Sequence, residues 1–131
     1  MASTTFSGPV TSTNGFIGAV TGNVTGNVTG DVTGGIVGDR QSLSGAGAVN
    51  TTTLITEITT TGADALTLAD GSPGQLKIIT MVVDGGDGTL TPTTFANGTT
   101  MTFGDAGDTV MLVFNSTLGW TIIANSGVVV A

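Results

Sequence analysis

Four aspartates fall in two close pairs, Asp84-Gly85-Gly86-Asp87-Gly88 and Gly104-Asp105-Ala106-Gly107-Asp108. Paired carboxylates can serve as acid and base in glycoside hydrolysis. They can also offer oxygens to Ca²⁺, which takes about six to eight of them. Each pair, however, sits in a glycine turn, where an aspartate side chain bonds its own backbone and shapes the bend. Neither run fits an EF-hand loop, and each supplies only two carboxylates, so no catalytic group, metal or other cofactor is expected. With no His and no Cys in the chain, most nucleophilic triads and dyads cannot be built. Lys77 stands alone in an apolar run. Trp120 could stack on a sugar, but a core indole with its N–H bonded near a strand end is the expected role. The chain is expected not to be an enzyme.

The elements that would position these residues are strands. Of 131 residues, 39% are hydrophobic and only 8% are charged, the reverse of a disordered composition. Nine acids oppose Arg40 and Lys77, giving a net charge of −7. Two cations cannot make the phosphate contacts that nucleic-acid binding needs, and adhesion to an anionic membrane fails for the same reason. No apolar stretch approaches the length of a membrane span. Met1–Thr5 has neither basic residues nor an apolar core, so a signal peptide is not expected. Asn23, Asn27, Asn50, Asn97 and Asn115 fall in N-x-S/T triplets, which arise freely in a threonine-rich chain.

Two regions are expected. Residues 1–50 read as an extended arm, and residues 51–131 as a compact β-domain. Within the arm, Val-Thr-Gly recurs with a period of four from Ala19 to Gly34 and degenerates at Gly35-Ile36-Val37-Gly38. An even period returns each repeat to one face of an extended strand. Val20, Val24, Val28, Val32 and Ile36 share that face with the intervening glycines, and the threonines take the other. A helix is disfavoured, because a glycine in every turn costs about 1 kcal/mol relative to alanine. A lone Val/Gly strand leaves its backbone groups and valines without partners, which calls for a second chain. Residues 39–50 read as a small-residue linker.

In the C-terminal region the expected strands are 52–59, 65–68, 76–83, 100–103, 109–114, 120–124 and 128–130, each bounded by a Gly, Asn or Asp turn. Short strands at this spacing predict an all-β fold, an antiparallel β-sandwich or small barrel. The expected core is Leu76, Ile78, Phe103, Val110, Leu112, Phe114, Trp120 and Ile122. The alternate positions 109, 111 and 113 are only partly polar, so both faces of that strand are expected to be covered, one of them by a neighbouring subunit.

The opening Ser3-Thr4-Thr5-Phe6-Ser7-Gly8-Pro9-Val10 with Ser12-Thr13-Asn14-Gly15-Phe16, followed by Gly-Asn-Val-Thr-Gly repeats, resembles small virion proteins of tailed bacteriophages. Gly74-Gln75-Leu76-Lys77-Ile78-Ile79, Asp84–Pro92, Phe103–Asp108 and Trp120-Thr121-Ile122-Ile123 are similar to a module of phage head-decoration and fibre proteins. The resemblance implies a decoration (cement) protein: a homotrimer on the outer surface of the capsid, docked on the major capsid protein and bridging capsomers. The arm would grip through Phe6, Val10, Phe16 and Ile17, with the valine face in the oligomer or capsid interface. A trimeric tail-fibre or host-glycan-binding module is the alternative. Copy number separates the two, since decoration requires hundreds of copies per virion and a fibre a few to tens.

Overall fold

A computed structural model describes Ser7 and residues 31–131. Phe6, Val10, Phe16, Ile17, Val20, Val24 and Val28 lie outside the described residues. The compact unit spans Gly35–Ala131 and contains ten strands and no helix: β1 (Arg40–Ser44), β2 (Gly47–Val49), β3 (Ile55–Thr59), β4 (Asp64–Leu68), β5 (Leu76–Val83), β6 (Gly88–Pro92), β7 (Met101–Phe103), β8 (Thr109–Asn115), β9 (Gly119–Ser126) and β10 (Val129–Val130).

Strands β1 to β6 alternate between two five-stranded sheets; β7 stays beside β6, β8 and β9 share the first sheet, and β10 returns to the second. Sheet A has the order β1-β3-β5-β8-β9, and sheet B the order β10-β7-β6-β4-β2. The chain therefore winds as a flattened spiral. Three coils, β1/β2, β3/β4 and β5/β6, stack in parallel within both sheets. The last strands run antiparallel: β7 on β6, β8 on β5, β9 on β8 and β10 on β7. The all-β sandwich expected from the sequence is present, but its sheets are mixed where antiparallel pairing was expected. The physical reason is the use made of the turns. Gly45, at a φ of 71°, and the Asp84–Asp87 loop send the chain from one sheet to the other. Only the loop between β8 and β9 closes a tight hairpin, with Asn115 opposite Gly119. A parallel neighbour normally needs a long crossover, and here a strand of the opposite sheet serves as that crossover.

Strands β1 and β2 occupy the residues that read as a linker, so the compact unit begins well before residue 51. The core lies between the sheets. Ile58, Ile79, Met81, Val110, Leu112, Phe114 and Trp120 enter it from sheet A, and Val49, Leu66, Leu68, Leu90, Met101 and Phe103 from sheet B. Ile122 packs against it from a partly buried position, and two expected core residues are not in it. Leu76 is 46% exposed, and Ile78 is only partly covered, on the outer face of sheet A. Lys77, Ile79 and Met81 point inward in their place. The cross-strand register sets this parity: Ile79 pairs with Val110 and Lys77 with Leu112, and residues opposite one another share a face.

Candidate functional site

Several of the residues with chemistry to offer are occupied in holding the fold. Asp84 Oδ1 accepts the N–H of Gly86 at 2.8 Å, closing its own turn. The Asp87 carbonyl accepts the N–H of Asp64 at 2.9 Å. Asp108 Oδ2 accepts from Gly104 N at 2.8 Å and from Asp105 N at 3.1 Å. Among the described residues no cluster of three or more His, Cys, Asp or Glu side chains is placed to hold a metal. Trp120 is fully buried, donates its indole N–H to the Ala69 carbonyl at 2.9 Å, and meets Phe114 edge-on at a centroid distance of 5.2 Å. It offers no stacking face to a sugar. Asn50, Asn97 and Asn115 each turn their side-chain oxygen onto a backbone N–H, of Thr53, Ile122 and Thr117 respectively.

Lys77 is fully enclosed. Its ammonium donates to the Thr53 carbonyl at 2.8 Å and to Thr53 Oγ1 at 3.1 Å. Burial away from water lowers its pKa to about 8, since a charged amine is disfavoured in a low-dielectric interior. The amine pins the corner that joins the first coil to the second. Gln41 supports the same corner, accepting from Asn50 N at 2.9 Å and from Thr56 Oγ1 at 3.0 Å. A fully enclosed amine has no route to a substrate, so its role is structural.

Two surfaces remain. The first is the free edge of β1. Asp39 and Gly45 direct backbone groups at β3, through Ile55 N at 3.0 Å and Thr59 O at 2.9 Å. Alternation along a parallel strand then directs the groups of Gln41 and Leu43 the same way and leaves those of Arg40, Ser42 and Ser44 facing outward. No strand among the described residues pairs with that side. The second surface is the outer face of sheet A. Ile55, Ile78, Met111 and Ala124 form one row across four strands, and Leu76 and Val113 lie in the next. The Thr80 and Thr109 hydroxyls bond each other at 2.7 Å, which spends their polarity within the face. A shallow hollow of about 180 Å³ opens among Ile78, Thr109, Met111, Ala124, Asn125 and Ser126, beside the register shift that follows Met111.

Of the expected interface residues, Val32 and Ile36 are described; both are well exposed and lie outside any strand. Ile78 and Met111 carry the apolar outer face. The partly polar alternation of positions 109, 111 and 113 was the signal for it. The free edge of β1 had no such signal, because its residues read as a linker. No protein-family model matches the chain, and no curated protein matches it in sequence.

Proposed function

We propose that the chain is a non-enzymatic structural protein of a phage virion, working as a homo-oligomer, a trimer by resemblance, that decorates the capsid exterior and bridges capsomers of the major capsid protein. One observation carries the structural part of this reading: Lys77, Trp120 and the carboxylates of Asp84 and Asp108 hold turns and core, while a strand edge and an apolar sheet face are uncovered. An open edge supports docking by strand addition, in which main-chain hydrogen bonds supply affinity. β1 carries neither a proline nor a bulge, and its one charge, Arg40, is paired with Glu57 at 2.7 Å. The virion setting rests on the resemblance of the arm and of the C-terminal runs. Decoration is mechanical work, in which many weak contacts, repeated over a shell, resist the outward pressure of packaged DNA. Net acidity suits a surface kept away from that DNA.

Quantitative mass spectrometry of purified virions tests the reading. Hundreds of copies per particle, with density outside the shell in a map of the intact virion, are the expected result. A few to tens of copies would favour the fibre reading, and absence from the particle would overturn both.

A further inference from the structure

We infer that the outer face of sheet A is the surface through which two copies of this chain associate, with Leu76 of each copy seated in the hollow of the other. The inference rests on the homo-oligomeric part of the proposed function and is independent of the virion; a two-fold contact joins copies in pairs, so it is additional to the contacts that would close a trimer.

Charge selects the partner. Outside β3, the acids of Gly35–Ala131 lie in turns, at strand ends or just before β1: Asp39, Asp64, Asp70, Asp84, Asp87, Asp105 and Asp108. The one acid on the outer face, Glu57, is neutralised by Arg40. Two copies of a chain with a net charge of −7 repel each other over most of their surface, and this neutral face is where they approach without opposing charges.

Shape supplies the register. Leu76 projects at one end of the face, one row from Ile78, and the hollow opens toward the other end, where Thr109 pairs with Ser126. A two-fold axis between them places each Leu76 over the partner's hollow, the reciprocal arrangement of an isologous interface. Area sets the strength. Five strands at their normal spacing and about six residues of rise give a face of roughly 24 by 20 Å, or about 1,000 Å² over two copies. That lies at the lower limit for a specific interface, so the association is concentration-dependent.

Sedimentation velocity of the full chain, across a wide concentration range, tests this with Ala124→Leu, which fills the hollow from an exposed position without touching the core. Wild type should gain mass with concentration, toward twice that of the species present at high dilution. The variant should need at least about tenfold more protein for the same mass. Should the variant fold poorly, methionine oxidation of wild type answers the same question. Met111 should oxidise more slowly as concentration rises, while Met81 and Met101, already enclosed, stay slow throughout.

Self-association that is unchanged in Ala124→Leu, or that leaves Met111 oxidation unchanged, would place the interface elsewhere and leave the homo-oligomer standing. A chain that stays monomeric at every concentration would overturn both, and protection of Met111 only within a particle would assign the face to another protein. The copy number per virion is untouched by any of these results.

Discussion

The two sheets share an apolar inner side but differ in how strictly their faces alternate. Sheet B follows simple alternation: Leu66, Leu68, Leu90, Met101 and Phe103 point into the core, while Ala65, Thr67, Thr89, Thr91 and Thr102 point out. Sheet A admits Lys77 and Thr56, with Thr60 just past β3, among its apolar inner residues, and it carries Ile55, Leu76, Ile78, Met111 and Val113 on its outer side. A sheet with one wet face puts β-branched polar residues there, as sheet B does. An apolar outer face is what a sheet carries when a second layer covers it. Folding thus covers the apolar residues of sheet B and leaves an apolar row of sheet A uncovered.

The largest effect should come from the conventional sheet. Phe103→Ala removes a fully buried ring from the inner side of sheet B and should cost about 3–5 kcal/mol. A domain of this size has only about 5–15 kcal/mol in total, so the variant should unfold at far lower urea. The fluorescence of Trp120, the only tryptophan in the chain, reports this directly. Ile78→Ala, on the outer side of sheet A, should cost well under half as much in a dilute, dissociated sample. Equal losses would break the comparison, because Ile78 would then be acting as a core residue.

The second effect tests the lysine on the inner side of sheet A. Lys77 has a pKa near 8 when folded against 10.5 when exposed. Between those values the unfolded chain holds a proton that the folded chain has released, so stability rises with pH there. The penalty for burying the ammonium is fully present below about pH 8 and is relieved as pH climbs toward 10.5. A gain of about 1–2 kcal/mol is expected across that window. Few other groups titrate there, because the chain has no Tyr, Cys or His and no second lysine, and the α-amino group, at about 7.7–8.0, is shared by the variant that tests it. Lys77→Met should flatten the profile. A rise that persists in that variant would place its source elsewhere.

A smaller gain should come from Thr121, whose hydroxyl is buried without a hydrogen-bond partner in the described fold. Thr121→Val keeps the branched shape and removes the stranded polar group, so it should stabilise by about 0.5–1 kcal/mol in thermal melts. A loss instead would mean that the hydroxyl is satisfied by water or by a partner chain.

The polarity of sheet A also marks the limit of what was legible beforehand. Strand β5 was readable to the residue, and β4, β7, β8 and β9 nearly so, because β-branched runs between glycine turns leave little choice. Its facing was not readable. Both phases of Leu76–Val83 carry three apolar residues, and only the register against Val110 and Leu112 decides between them. Lysine at 77 argued for the wrong phase, since nothing local reveals that Thr53, far back in the chain, supplies its acceptors. β1, β2 and β6 were missed because they are short, carry one apolar strand former or two at most, and take their pairing from neighbours in the stack. The aspartate turns and Trp120 were legible because their partners are local or their size commits them to the core.

The smallest effect is on the finished face. Thr67 lies on the outer side of β4, exposed and flanked by Ala48 and Thr91 across the strands. Thr67→Lys should change stability by less than about 0.5 kcal/mol, as exposed substitutions away from special features do, and should leave sedimentation unaltered. Met111→Lys, the matching change on sheet A, should also leave the dissociated fold near its original stability, because the long lysine stem can lie along the apolar row with its ammonium in water. It should nevertheless suppress self-association, since two ammonium groups would be brought into one dry interface. The paired result separates folding from assembly on the same scaffold. If Thr67→Lys proved as disruptive to association as Met111→Lys, both outer faces would be contact surfaces and the asymmetry between the sheets would lose its meaning.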